Sequence, residues 1–113
     1  MIKATFTFEK STDKILKVNI SGHAQFDDYG SDVVCASVSS LVIATVNALE
    51  EYVGIDTSVI IQNGATEFSI NTDDTVKSIQ AQAIANMLYM ALTGLEDEHE
   101  DYIQVTVTED KDD

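Results

Sequence analysis

A chain of 113 residues with 44% hydrophobic and 23% charged residues has the composition of one globular domain and is long enough to bury a real core, so residues 1–113 are read as a single domain. Twenty acidic against six basic side chains give a formal charge of −14, a field that repels phosphate backbones and draws basic partners, which argues against nucleic-acid binding. No signal peptide is expected in a start that alternates at once, no membrane span in a chain lacking about 18 uninterrupted apolar residues, and no internal disulfide with one cysteine; a cytoplasmic location is expected.

Ile2, Ala4, Phe6 and Phe8 alternate with Lys3, Thr5, Thr7 and Glu9, the period of a strand with one buried face. After the turn-like Ser11-Thr12-Asp13, the branched run Ile15 to Ile20 predicts a second strand, hairpinned to the first and ended by Ser21-Gly22. Gln25 to Ser31 has no apolar period and reads as an exposed loop around Gly30. A long helix is expected next, with Ser31 or Asp32 as N-cap. Val34, Val38, Leu41, Val42, Thr45, Leu49 and Val53 would form its core face, and Gly54 its stop.

Ser58 to Gln62 and Thr66 to Asn71 flank Asn63-Gly64, whose tolerance of positive φ makes it a strong hairpin signal. Asn71-Thr72-Asp73-Asp74 supplies a second N-cap, and Val76, Ile79, Ala83, Ile84, Met87 and Ala91 trace a second amphipathic helix to about Leu95. Tyr102 to Thr108 alternates as a fifth strand, and Glu109 to Asp113 reads as a frayed tail. The order ββαββαβ predicts an α+β two-layer sandwich: a mainly antiparallel five-stranded sheet with two helices packed on one face.

The chemistry centres on two side chains. His23 stands just past the second strand, and Cys35 is expected in the first turn of the next helix, where unpaired N–H groups and the helix dipole favour thiolate. A nearby imidazole favours it further and can protonate a leaving amine. Asp32 has two open readings, as third member of a triad orienting the His23 ring or as helix N-cap alone.

The run Ser21-Gly22-His23-Ala24, followed by Tyr29-Gly30-Ser31-Asp32-Val33-Val34-Cys35-Ala36-Ser37-Val38-Ser39, resembles the ribosomal-processing cysteine protease family, Prp. That family's pattern is Gly-His-Ala, a loop, then Gly-x-Asp-Ile-Val-Cys-Ala-x-x-Ser, and the visible departure is Val33 in place of isoleucine. The resemblance implies a cysteine endopeptidase that removes the N-terminal extension of bacterial large-subunit ribosomal protein 27 during ribosome biogenesis, cutting after an aromatic residue and working as a homodimer. It matches Cys35 to the nucleophile, His23 to the base, Asp32 to the motif aspartate, and Gly22 and Gly30 to the glycines bracketing the loop. On this reading residues 24 to 31 form a lid hinged at Gly30, the oxyanion takes N–H groups from the helix start, and Asp27 and Asp28 steer a basic ribosomal protein.

A reading from a different class makes the chain a noncatalytic acidic module that binds a basic ribosomal protein or assembly factor. The acidic run Glu96 to Asp101 around His99 is read as solvated chain, with no metal and no cofactor expected. Met87, Tyr89 and Met90 are read as core by their helical spacing, ahead of a groove for an aromatic substrate residue.

Overall fold

The computed structural model describes residues 1–22 and 29–110, with side chains described from Val33 onward in the second stretch. Strands β1 (Ile2–Glu9) and β2 (Ile15–Ser21) precede helix α1 (Tyr29–Asn47), which continues as a π-helical segment, Ala48–Val53. Then follow β3 (Ile60–Gln62), β4 (Ala65–Ser69), helix α2 (Thr75–Glu98) and β5 (Ile103–Asp110). The expected α+β order is therefore the observed one.

The five strands lie in the order β3-β4-β2-β1-β5, with β1 parallel to β5 and the other three pairings antiparallel. These pairings make β2 parallel to β3 and β4 parallel to β5, so each helix is a crossover between parallel strands. The two crossovers run in opposite directions along the sheet from strands of opposite polarity, and right-handed crossovers of that kind place both helices on one face. The burial pattern agrees: Ile2, Ala4 and Phe6 of β1 are buried while Lys3 is exposed.

On α1 the expected core stripe is the observed one, with Val34, Val38, Val42, Thr45, Leu49 and Val53 buried and Leu41 packed against them. The buried Thr45 hydroxyl donates to the Leu41 carbonyl at 2.7 Å, so no polar group is orphaned there. Gly54, at φ +85°, ends the segment with its N–H donated to the Leu49 carbonyl at 3.0 Å. By length and mean hydropathy Val33–Val53 would also suit a membrane span; its buried positions form one stripe, the arrangement of a core helix.

The second helix departs from expectation. Asp74 caps it as predicted, accepting from the Lys77 N–H at 2.9 Å, but the buried face is Ala81, Ala85, Leu88 and Leu92. Val76, Ile79, Met87 and Met90 face solvent, Met90 at 70% exposure, so the core reading of Met87 and Met90 is corrected. Alanines at the contact let the helix settle close to the strands, where Tyr89 meets Phe6 and Phe8 edge-on at ring-centre distances of 5.0 and 5.8 Å. Gln82 ties the helix to the sheet: its side chain accepts from the Ile15 N–H at 2.7 Å and donates to the Ile15 carbonyl at 2.8 Å.

Two boundaries also move. Glu96 lies inside α2 and accepts the Val105 N–H at 2.9 Å, which fixes the start of β5. Glu109 and Asp110, expected in a frayed tail, pair in β5 opposite Phe8 and Glu9.

Candidate active site

Strand β2 delivers the chain to the site. Ser21 is the last strand residue, paired with both Lys3 and Ala65, and Gly22 follows at φ +95°. A Cβ at Gly22 would collide with the carbonyl oxygen of Met1. This glycine is thus required twice, by its left-handed backbone and by the close approach of β1's leading edge, immediately before His23. His23, Asp27 and Asp28 fall outside the described residues.

Helix α1 begins at Tyr29, two residues before the earliest expected cap. Gly30, Ser31 and Asp32 are consequently helical, which corrects two expectations, a loop reaching Ser31 and Ser31 or Asp32 standing outside the helix as N-cap; the lid expected over residues 24 to 31 falls mostly outside the described residues. A helix that is already hydrogen-bonding at Gly30 gains nothing from a cap two residues further in. Cys35 is the seventh residue of α1 and lies in its second turn, not the first. At about 1.5 Å per residue the free N–H groups of the helix start lie roughly 6–9 Å back along the axis from Cys35.

Cys35 is a free thiol, half-buried and packed against the edge of the core. Ser39, Val42 and Val46 follow it at four, seven and eleven residues, so all four share one stripe of α1. That stripe walls a groove of about 420 Å³, whose floor is Ile20, Thr66 and Ile61 from adjacent strands. Ile43 and Ile61 stand at its two rims, 61% and 79% exposed. Glu50, at the far end, accepts from the Thr57 hydroxyl at 2.6 Å. The groove escaped the sequence reading because its floor is assembled from β2, β3 and β4, whose order no local pattern encodes. The available signal was Ile43 and Ile61, two large apolar residues off the core-facing period.

The arrangement places a free thiol one helical turn before Ser39, the first residue of its stripe to line the apolar cleft. Among the described residues no three His, Cys, Asp or Glu side chains converge as a metal-binding group.

Comparison with known proteins agrees with this geometry. The family described as cysteine protease Prp matches residues 1–104. The ribosomal processing cysteine protease Prp of Bacillus subtilis is 32% identical over 111 residues, covering 94% of this chain and 96% of that protein. Among solved structures, SMU.848 from Streptococcus mutans superposes with a TM-score of 0.84 at 26% identity, covering 97% of this chain and 96% of that one. The ribosomal processing protease Prp of S. aureus, in complex with a covalently linked product peptide, gives 0.81 at 25% identity, covering 96% and 100%.

Proposed function

This chain belongs to the cysteine protease Prp family and is a cysteine peptidase; from that premise we propose that it processes a ribosomal protein, removing the N-terminal extension of large-subunit ribosomal protein 27 in the cytoplasm during ribosome biogenesis. The observation that carries the reading is the placement of Cys35, the sole cysteine of the chain, on the helix stripe that borders the apolar groove. The relatives' own names supply the ribosomal processing role, and a covalently linked product peptide is what a thiol nucleophile of that family leaves behind.

In the proposed mechanism the Cys35 thiolate attacks the scissile carbonyl and forms a C–S bond, pushing its electron pair onto oxygen. The tetrahedral intermediate collapses by breaking the C–N bond, and His23, one residue past the glycine that turns the chain out of β2, gives its proton to the departing amine. Water, deprotonated by His23, then attacks the thioester, releasing the acid and restoring the thiol. Asp32, three residues before Cys35 in α1, is either the group that orients His23 or a helical residue with no part in the chemistry.

The charge of −14 favours encounter with a basic ribosomal protein, and Asp27 and Asp28 beside His23 are the proposed steering residues. A homodimer is proposed as well. What supports it is α2, which carries no charged residue from Ser78 to Leu95 and exposes Val76, Ile79, Ala83, Met87 and Met90 on one side. Two copies of so acidic a chain repel except where a face is uncharged. The spacing is self-complementary: an antiparallel two-fold at Ala83 sets Val76 against the partner's Met90 and Ile79 against the partner's Met87.

The test is to incubate the protein with the extended form of ribosomal protein 27 under reducing conditions and weigh the products, with Cys35→Ala alongside. One cut that removes the extension, absent in the variant, is the expected result. Intact substrate with the unsubstituted protein would overturn the substrate assignment.

A further inference from the structure

The turn between β3 and β4 carries a reactive pair of residues. We infer that Asn63-Gly64 is a site of spontaneous covalent modification: the Asn63 side-chain amide is lost to intramolecular attack, and the isoaspartate that results releases β3 from the sheet. The reaction does not depend on what the groove binds.

Both reacting groups belong to the turn itself. The Gly64 backbone nitrogen attacks the Asn63 side-chain carbonyl carbon, a new C–N bond forms, and the Gly64 N–H gives up its proton. The bond from that carbon to the amide nitrogen breaks, so ammonia leaves and a five-membered succinimide remains. Water then adds to one of the two ring carbonyls and opens the ring, giving aspartate or, when the main chain is left running through the side-chain carbonyl, isoaspartate. Glycine favours the first step because no Cβ crowds its nitrogen. Of the five asparagines, Asn19, Asn47, Asn63, Asn71 and Asn86, Asn63 alone precedes glycine. Their surroundings separate them further. The Asn19 amide donates to Glu67 at 3.0 Å in mid-strand, and the Asn86 amide donates to the Gln82 carbonyl at 2.7 Å within α2. Asn63 is exposed, and its side chain has no hydrogen-bond partner among the described residues.

The closed turn holds the reaction back. Asn63 and Gly64 have φ of +53° and +76°, the left-handed pair of a type I′ turn. That backbone swings the Gly64 nitrogen away from the Asn63 side chain, so attack requires the turn to open. Opening disturbs little: β3 is an edge strand bonded to β4 alone, and all three of its residues are exposed, Ile61 at 79%. A segment with so few buried contacts opens without global unfolding.

The isoaspartate cannot return to the same turn. One extra main-chain carbon lengthens a two-residue loop, and the register of Gln62 opposite Ala65 and Ile61 opposite Thr66 depends on that length. The new carboxylate also stands in the shallow pocket that Asn63 shares with Glu67, on a chain whose formal charge is already −14. β4 keeps its pairing with β2, and no β3 residue belongs to the buried core. The product is therefore a folded protein with the sheet β4-β2-β1-β5, and Ile61 leaves the rim of the groove with its strand.

The test incubates the purified protein at mildly alkaline pH, with a urea-unfolded sample and an Asn63→Ser protein alongside, and follows intact mass, fragment spectra and isoelectric focusing. The expected result is the mass gain of an amide becoming a carboxyl at residue 63, ahead of every other asparagine, with one added negative charge. Asn63→Ser should show no such early gain. Conversion should be slower in the native than in the unfolded sample, and Ile61→Gly, which weakens β3, should raise the native rate roughly fivefold. Hydrogen exchange on the separated isoaspartyl form should show the β3 amides unprotected while those of β1 and β2 keep their protection. A native protein that keeps Asn63 intact while the unfolded chain converts, or that converts first at another asparagine, would overturn the site. An unchanged rate in Ile61→Gly would overturn the opening step, and unchanged β3 protection in the isoaspartyl form would overturn release of the strand.

Discussion

Gly22→Ala and Gly94→Ala are the same chemical change with opposite expected signs, and the pair examines the link between backbone geometry and the active site. At Gly22 the added Cβ has to adopt φ near +95°, which costs an L-residue about 1–2 kcal/mol. It also drives against the Met1 carbonyl. Moving that peptide group displaces the Ile2 N–H, which donates to the Tyr102 carbonyl at 2.8 Å, at a further cost of about 1 kcal/mol. The sum is roughly 2–3 kcal/mol, and at about 4 °C per kcal/mol the Tm should fall by about 10 °C. Gly94 is helical, exposed and has open space around its Cβ position, so Gly94→Ala should gain up to about 1 kcal/mol of helix propensity and raise Tm by a few degrees. Calorimetry on the two variants decides the stability claim. Peptide cleavage well below either Tm decides the functional one, because Gly22 precedes His23 and a displacement of about 1 Å there is enough to cost two orders of magnitude in rate. A Gly22→Ala protein with unchanged Tm and unchanged turnover would refute the reasoning.

Gln82→Leu keeps the volume of the helix–sheet contact but strands the Ile15 N–H and carbonyl, and it should lower stability by about 2–4 kcal/mol in denaturant titration. Leu88→Ala removes a fully buried side chain from the α2 face and should cost about 2–5 kcal/mol by the same measurement, whereas Met90→Ala on the exposed side of that helix should leave the monomer's stability nearly unchanged. Ile79→Glu puts a charge near the centre of the proposed two-fold and should shift the sedimentation coefficient to that of a monomer. Rising ionic strength should lower kcat/KM on a basic protein substrate, and an Asp27→Asn/Asp28→Asn protein should show a shallower dependence.

Interactions between near neighbours were legible in the sequence. Val34, Val38, Val42, Leu49 and Val53 announce the buried stripe of α1 because helical neighbours three and four apart share a face whatever the rest of the chain does. Asn63-Gly64 announces its hairpin because both residues adopt positive φ, as observed at +53° and +76°. The catalytic candidates were legible for a different reason: His23 and Cys35 stand in a contiguous motif whose residue types, more than their distances, carry the chemistry.

What needed the tertiary structure is whatever depends on competition between distant parts. In α2 the uncharged stretch from Ser78 to Leu95 offers two apolar sides, and periodicity alone favoured the bulkier Val76, Ile79 and Met87. The alanines won because a helix crossing a sheet gains more contact from close approach at Ala81 and Ala85 than from larger side chains that hold it away. The parallel seat of β5 against β1 was decided likewise by packing. The groove beside Cys35 exists only once β2, β4 and β3 lie side by side under α1, an order set by crossover handedness and absent from any local pattern. The sequence by itself named the candidate atoms for the chemistry, and the tertiary structure decided what lies beyond Cys35 along its helix.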